Sequence, residues 1–130
     1  MSDSLAVLAR EVLAFRDERD WGQFHTPRHL AAALSVEVAE LQELLLWKTD
    51  DDVNGLIATP QGAEMLRHEL ADVFAYTLLL ADRVGADLGQ CLLEKLTLNG
   101  SRYPVDLARG RADKYTSYSR DRGSNSEKTE

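Results

Sequence analysis

Apolar residues recur at helical spacing along most of the chain. Between residues 5 and 19, the apolar side chains of Leu5, Leu8, Val12 and Phe15 follow one another at steps of three and four, which predicts an amphipathic helix. No segment alternates convincingly between apolar and polar residues, as a half-buried strand would. The pattern therefore predicts an all-α protein.

Threonine–proline pairs mark the starts of two further predicted helices. A threonine followed by proline favours the N-cap and first turn of a helix. The first pair predicts a helix that begins at Thr26 and continues to Trp47. The second pair predicts a helix that begins at Thr59 and continues to about Val84, and Gly85 is expected to end it.

The remaining segments add a turn and a fourth helix. The segment KTDDDVNG, residues 48–55, combines turn formers with charge and is expected to be a solvated turn. Asp87 with Gln90 three residues later resembles a capping box, and Asn99 and Gly100 are expected to close the helix that follows. Four helices indicate a four-helix bundle-like fold.

The composition is that of one globular domain. With 130 residues and 44% hydrophobic content, the chain can bury one core, and we expect a single domain over residues 1–118. Residues 119–130 have no apolar side chain and are expected to form a disordered tail. The net charge of −7 argues against a nucleic-acid-binding protein, which would need a basic face, and no apolar run is long enough to cross a membrane.

The cysteine content indicates the cellular compartment. Cys91 is the one cysteine of the sequence, which excludes an internal disulfide and fits a reducing cytosol, so we expect a cytoplasmic protein. We expect Cys91 itself to be a small buried apolar residue.

Two pairs of acidic residues lie within apolar helical faces. Glu37 and Glu40 lie roughly 60° apart around the second predicted helix, and Glu69 and Asp72 repeat the same spacing on the third. The apolar residues that surround the pairs on the helical wheels are Leu30, Ala33, Leu34, Val38, Leu41, Leu44, Leu45 and Trp47 on the second helix, and Met65, Leu66, Val73, Tyr76 and Leu80 on the third. If both faces pack into the core, four carboxylates meet in a poorly solvated space.

Four such carboxylates require a positive counter-charge, because burying an unpaired carboxylate costs several kcal/mol. Oxygen ligands favour Mg²⁺, with Mn²⁺ as a substitute, over the Glu-x-x-His ligand sets of di-iron bundles. The alternative is that the acids are solvated and pair with Arg28, Arg67 or Arg83. The duplication of the pair favours a metal site. Glu43 continues the row of acids beyond Glu40. The sequence leaves three roles open for it: a fifth metal ligand, a base that activates water, or a surface residue.

The second predicted helix is apolar nearly all round. Ala31, Ser35, Ala39 and Leu46 lie on its other side, so we expect this helix to be buried on several sides. In so small a chain this predicts a subunit interface and a symmetric homo-oligomer.

The acid pattern and its flanking segments resemble a known family. Glu37-x-x-Glu40, followed after 28 residues by Glu69-x-x-Asp72, resembles the signature of the MazG-like all-α nucleotide pyrophosphohydrolases. The segments ERDWGQFHTPRHL, EVAELQELLLWKTD, ELADVFAYTLLLADR, NGSRYP and KYTSY are similar to the dCTP-hydrolysing branch of that superfamily. The resemblance extends over residues 5–118.

The resemblance implies an enzyme that hydrolyses dCTP, or a modified dCTP, to dCMP and pyrophosphate with Mg²⁺. It also implies a homotetramer. The positions that match the family's metal ligands and catalytic acids are Glu37, Glu40, Glu69 and Asp72. Those that match its base and sugar contacts are Trp21 to His25, Trp47 and Tyr76, and those that match its phosphate contacts are Lys95, Asn99, Arg102, Lys114 and Tyr115.

The residues themselves leave alternatives open at several of these positions. Trp47 and Tyr76 lie beside the acid pairs on the helical wheels, where an aromatic ring either stacks on a base or fills the core. His25 makes either a hydrogen bond within its loop or a ligand contact, and Lys95 either pairs with Glu94 at the surface or binds phosphate. The phenylalanines are expected in the core: Phe15, Phe24 and Phe74.

One departure from the family bears on the substrate. The first predicted helix has Val12 where the related animal enzymes are expected to have a histidine, which leaves the preference for cytosine open. The alternative substrate class is dUTP or a broader set of pyrimidine triphosphates. From another class of function, the alternative is a non-catalytic helical interaction module whose acids only increase its solubility.

Overall fold

Helices account for all the regular structure in the described part of the chain. A computed structural model describes residues 2–119. The α-helices are α1 (Ser2–Asp17), α2 (Pro27–Leu45), α3 (Asp50–Ala58), α4 (Pro60–Val84), α5 (Leu88–Arg102) and α6 (Val105–Ala108), with 3₁₀ turns at Trp21–Gln23 and Tyr115–Ser117. Residues 2–119 contain no strand, so the all-α prediction is confirmed. Over the same residues, no helix has the length and apolar character needed to span a bilayer.

The chain groups into two compact units. The first extends to Leu88 and contains α1 to α4, and the second begins at Gly89 and contains most of α5 together with α6. The single domain expected over residues 1–118 stays a prediction. The expected disordered tail lies outside the described residues, apart from Ser119.

In the first unit, α4 is the helix against which the others pack. It contacts α1, α2 and α3, and its contact with α2 is the most extensive. The buried core is formed by Leu30 of α2 with Leu78, Leu79 and Ala81 of α4. Because the two acid pairs belong to α2 and α4, the packing of these two helices also determines where the acids lie.

The predicted helix starts at the threonine–proline pairs are confirmed. Thr26 Oγ1 accepts a hydrogen bond from the His29 amide at 3.2 Å, and Thr59 Oγ1 accepts one from the Gly62 amide at 3.1 Å. Each bond satisfies an amide that has no partner within its helix. At the other end of α4, Gly85 adopts a left-handed φ of 67° and ends the helix as predicted.

The prediction of a solvated turn at residues 48–55 is wrong, because α3 begins inside it at Asp50. Thr49 Oγ1 accepts from the Asp52 amide at 3.2 Å, and the Thr49 amide donates to Asp52 Oδ2 at 2.9 Å. This reciprocal capping box satisfies two amides at the start of the helix. The aspartates interact favourably with the positive end of the helix dipole, so their charge marks a helix start.

Two predicted helix ends are also wrong. The second predicted helix ends at Leu45, and Trp47 lies beyond it with a left-handed φ of 60°, so the helical wheel does not place its side chain. The predicted end of the fourth helix at Gly100 is passed, because α5 continues to Arg102. A glycine inside a helix costs only about 1 kcal/mol relative to alanine, which by itself is too little to end it.

The burial expected for four residues is wrong. Cys91 is exposed, and Phe15, Phe24 and Phe74 are between 42% and 60% exposed. Apolar spacing shows that a helix has an apolar face, but it does not show that this face meets another element of the same chain.

Candidate metal and nucleotide site

Three carboxylates meet where α2 packs on α4. Glu37 and Glu40 belong to α2 and Glu69 to α4, and one oxygen of each lies within 4.8 Å of the others. Glu37 and Glu69 are half-buried, whereas Glu40 is exposed. The i, i+3 spacing puts the two α2 acids on one face of the helix, and the contact between the helices adds the third acid.

Two of these carboxylates have a buried oxygen without a hydrogen-bond partner. Glu37 Oε2 and Glu69 Oε2 both lack a donor. Among residues 4–119, no ion pair joins the acid cluster to Arg28, Arg67 or Arg83, which were the alternative partners. Because an unpartnered buried carboxylate oxygen is costly, this oxygen-only ligand set fits a bound cation.

Mutual repulsion adds to the cost of ionising the cluster. Burial raises the pKa of Glu37, and the nearby Glu40, Asp72 and Glu69 raise it further. Burial likewise raises the pKa of Glu69, with Glu40 and Asp72 adding to it. Asp72 is thus close enough to act on both carboxylates although it lies outside the group of three. A divalent cation would oppose these shifts by favouring the ionised forms.

The two aromatic candidates differ in their environment. Tyr76 is half-buried on α4, and burial together with the charges of Glu37, Asp72 and Glu40 raises the pKa of its hydroxyl, which places the tyrosine beside the acids. Trp47 is 94% exposed, directly after α2. Its positive φ is rare for a bulky residue, so both the backbone conformation of Trp47 and the exposure of its ring are unusual.

The loop between α1 and α2 contains the other two base and sugar candidates. Trp21 packs edge-to-face on Phe15 with 5.9 Å between ring centroids. His25 is only 8% exposed, its Nδ1 has no partner, and its ring stacks on His29 at 6.4 Å. Burial lowers the pKa of His25, and nearby cationic side chains lower it further. A depression of ≈490 Å³ here is lined by Gly22, Gln23, His25, Thr26, Pro27 and Arg83.

The phosphate-contact candidates belong to α5. Lys95 and Asn99 are one helical turn apart, and Arg102 is the last residue of the helix, where it lies over the Tyr115 ring at 5.2 Å. Within the described chain no ion pair joins Lys95 to Glu94. In the second unit itself, Arg102 and Tyr115 line a depression of ≈340 Å³.

The sequence matches the model of the MazG-like family over residues 32–117. The chain belongs to the MazG-like family. The matched residues of this MazG-like chain include all four acids and the three α5 candidates, whereas Trp21 and His25 precede the match.

Known proteins similar to this MazG-like chain include dCTP pyrophosphatase 1 of Mus musculus, 47% identical over 102 residues, and that of Homo sapiens, 46% identical. Each alignment covers 78% of this chain and 60% of the relative, so the chain spans about 60% of the length of these relatives. A solved pyrophosphatase structure from Archaeoglobus fulgidus is similar with a TM-score of 0.67 and 34% identity, covering 78% of this chain and 91% of that one.

Spacing along the sequence did not reveal that Arg16 and Arg83 of this MazG-like chain lie near the α1–α2 loop. Arg16 Nη1 lies 3.1 Å from Asp82 Oδ2, and Arg83 donates a hydrogen bond to the Gly22 carbonyl. The partners are 66 and 61 residues apart in sequence. No local pattern links positions so distant, so only the packing of α1 and α4 identifies them.

Proposed function

We propose that this chain is a Mg²⁺-dependent nucleoside triphosphate pyrophosphohydrolase that converts dCTP, or a modified dCTP, to dCMP and pyrophosphate. The supporting observation is the cluster of Glu37, Glu40 and Glu69, with two buried oxygens that lack partners, in a MazG-like chain 47% identical to a dCTP pyrophosphatase. A cluster of carboxylates suited to binding a cation, in a relative of enzymes named for this reaction, supports hydrolysis of a phosphate anhydride.

The four acids Glu37, Glu40, Glu69 and Asp72 would hold Mg²⁺, or Mn²⁺ as its substitute. When bound, the cation supplies positive charge to the phosphate oxygens and a means of activating water. The carboxylates must be ionised to bind it. Because burial and repulsion raise the pKa values of Glu37 and Glu69, binding of the cation and deprotonation of the cluster are coupled.

The reaction adds one water to the α-phosphorus and breaks its bond to the bridging oxygen. That oxygen leaves with pyrophosphate, the water oxygen remains in dCMP, and protons are released to solvent. In this proposal aromatic side chains stack on the base, and cationic and amide groups hold the phosphates. The residues assigned to the base and sugar are Trp21, His25, Trp47 and Tyr76, and those assigned to the phosphates are Lys95, Asn99 and Arg102.

Product analysis tests the proposal directly. The full chain with dCTP and Mg²⁺ is expected to release dCMP and pyrophosphate. Glu40→Ala and Asp72→Ala are each expected to lower kcat/KM by more than about 100-fold, since loss of groups that only support metal ligands already costs 10–100-fold. Glu64→Ala is the control, because this α4 acid instead lies 3.9 Å from exposed His68. Release of orthophosphate, or no turnover with any triphosphate, would contradict the proposal.

A thermal melt separates the enzyme from a non-catalytic interaction module. Mg²⁺ with a nonhydrolysable dCTP analogue is expected to raise the unfolding midpoint of the wild type, because a ligand that binds only the folded state stabilises it by mass action. Glu40→Ala is expected to lose this response. An interaction module would show no shift in either protein.

The preferred base follows from relative kcat/KM values for dCTP, 5-methyl-dCTP and dUTP. Val12 is half-buried on α1 and offers no hydrogen-bonding group where the related enzymes are expected to have histidine. We nevertheless propose a preference for cytosine, because the similar mouse and human proteins are named dCTP pyrophosphatases. A higher kcat/KM for dUTP would replace it with the dUTP-directed alternative.

The proposed enzyme is a cytoplasmic homo-oligomer, a tetramer by resemblance, with no nucleic-acid or membrane partner. Large apolar side chains of the single chain support association because they are exposed on more than one helix. They include Val7 and Leu8 of α1, Val36 of α2, Leu46 just after it, and Leu92 and Leu93 of α5.

A further inference from the structure

The loop between α1 and α2 is tied to the end of α4. The Arg83 guanidinium donates a hydrogen bond to the Gly22 carbonyl. The preceding residue, Asp82, forms an ion pair with Arg16 of α1 at 3.1 Å. The Arg16 side chain is only 13% exposed, and its Nε also donates to Asp17 at 2.7 Å. We call Arg16, Asp82 and Arg83 the brace.

The brace lies directly against the loop backbone. A Cβ atom added at Gly22 would lie 3.4 Å from Arg83 Nη2 and 3.5 Å from Arg16 Nε, so both guanidinium groups pack on this residue. The Gly22 carbonyl also accepts the His25 amide at 3.3 Å. One carbonyl therefore links the brace to the backbone of a nucleotide-contact candidate.

The loop also begins in an unfavourable conformation. Asp20, which precedes the 3₁₀ turn, has a left-handed φ of 53°, a region that non-glycine residues seldom occupy. Such a conformation persists only where the surrounding structure holds it. Gln23 Nε2 holds Asp20 locally through hydrogen bonds to the Asp20 carbonyl at 3.0 Å and to Asp20 Oδ2 at 2.9 Å, and the Arg83 hydrogen bond attaches the loop to α4.

We propose that Arg83, supported by the neighbouring ion pair, is a positioning residue that holds residues 20–25 in the conformation that presents Trp21 and His25 to the nucleotide. The inference rests on the proposed function, which assigns those two side chains to the base and sugar. Arg83 acts through the Gly22 carbonyl and not by contact with the reacting phosphates.

The expected kinetic effect follows from this role. A hydrogen bond from a charged guanidinium is stronger than a neutral one, and without it the loop populates conformations that do not bind nucleotide. Apparent affinity falls in proportion to the binding-competent fraction. The acid cluster of α2 and α4 is not part of the loop, so the chemical step is expected to be preserved.

Steady-state kinetics with dCTP and Mg²⁺ test the inference on the full chain. Arg83→Met is expected to raise KM about tenfold while kcat stays within about twofold, and Arg83→Lys, which keeps a cationic donor, is expected to fall between Arg83→Met and the wild type. Arg10→Met, which removes an exposed arginine of α1, is the matched control and is expected to behave as the wild type. An unchanged KM, or a loss of kcat at constant KM, would overturn the inference.

A second measurement does not depend on turnover. The sequence has two tryptophans, so a Trp47→Phe background leaves Trp21 as the reporter of the loop. Without nucleotide, adding Arg83→Met is expected to shift the Trp21 emission to longer wavelength and to increase its quenching by acrylamide. If Arg83→Met does not fold, Arg83→Lys and Asp82→Asn replace it in both measurements.

The two measurements keep this inference separate from the proposed function. Unchanged Trp21 quenching would overturn the positioning role even if dCTP is hydrolysed. Changed quenching in a protein that hydrolyses no triphosphate would retain the anchoring of the loop and reject the proposed function.

Discussion

At the scale of single residues, several departures from ordinary local preferences lie among the candidate site residues. Glu37 and Glu69 each keep a buried carboxylate oxygen without a donor. Trp47 is almost fully exposed in a left-handed backbone conformation, and His25 keeps its Nδ1 buried without a partner. Each departure costs free energy in the isolated chain, and together they are the pattern expected where residues are arranged for a ligand.

His25 is expected to make stability depend on pH. Burial, followed by nearby positive charges, lowers its folded-state pKa from the ordinary value of 6.5. The unfolded chain therefore binds more protons between the two pKa values, so this contribution to stability is complete above 6.5 and is lost as pH falls through the folded pKa. NMR titration should give a His25 pKa below 6.5, and urea unfolding should show a steeper loss of stability in acid for the wild type than for His25→Gln. A His25 pKa above its ordinary value would contradict this.

At the scale of elements, the junction of α3 and α4 depends on Thr59 and Gly62. Thr59 ends α3 and caps α4, and its hydroxyl both donates to the Leu56 carbonyl at 2.9 Å and accepts from the Gly62 amide. A Cβ atom at Gly62 would lie 2.1 Å from that Leu56 carbonyl oxygen. The close approach of the two helices therefore requires a residue without a side chain.

Gly62→Ala is expected to lower the free energy of unfolding by roughly 1–3 kcal/mol, the usual cost of overpacking. Gly55→Ala is the matched control within α3, because a Cβ atom there meets nothing within 4 Å. It is expected to raise the free energy of unfolding by about 0.5–1 kcal/mol, since alanine is the better helix former. Urea unfolding measures both changes, and equal effects at the two positions would rule out the junction as the cause.

At the scale of the whole molecule, the single chain leaves much apolar surface in solvent. On α2, Ala31, Ser35 and Ala39 are exposed together with the larger Val36. A helix with acids on one face and small or apolar residues on the others is suited to pack against a second copy. The prediction of a homo-oligomer therefore depends on the exposed faces of α2, the helix that also provides Glu37 and Glu40.

Light scattering is expected to give the wild type four times the mass of one chain. Ser35→Arg, which puts a long cation on the proposed interface, is expected to reduce this mass, because an unpaired charge is costly to bury between subunits. Asn54→Arg on the exposed side of α3 is the control and is expected to leave the mass unchanged. A monomeric wild type would remove the interface from the proposal.

Features with local causes could be predicted from the sequence. A threonine cap, a first-turn proline and a glycine in the left-handed region act within one helical turn, so the starts of α2 and α4 and the end of α4 were correct. The i, i+3 spacing of Glu37 with Glu40, and of Glu69 with Asp72, is local as well. At Asp50 to Asp52 the same residue types suit both a turn and a helix start, and the hydrogen bonds of Thr49 with Asp52 determined the outcome.

What the sequence by itself determined is thus the all-α class, the starts of α2 and α4 and the two acid pairs, because these depend on neighbours a few residues away. Tertiary structure decided which faces meet. It brought Glu69 to the α2 acids, left three phenylalanines in solvent, and joined Arg16 to Asp82 across 66 positions. The physical reason is that helical periodicity specifies the direction of a side chain around its own axis, whereas contacts between distant segments depend on the packing of whole helices.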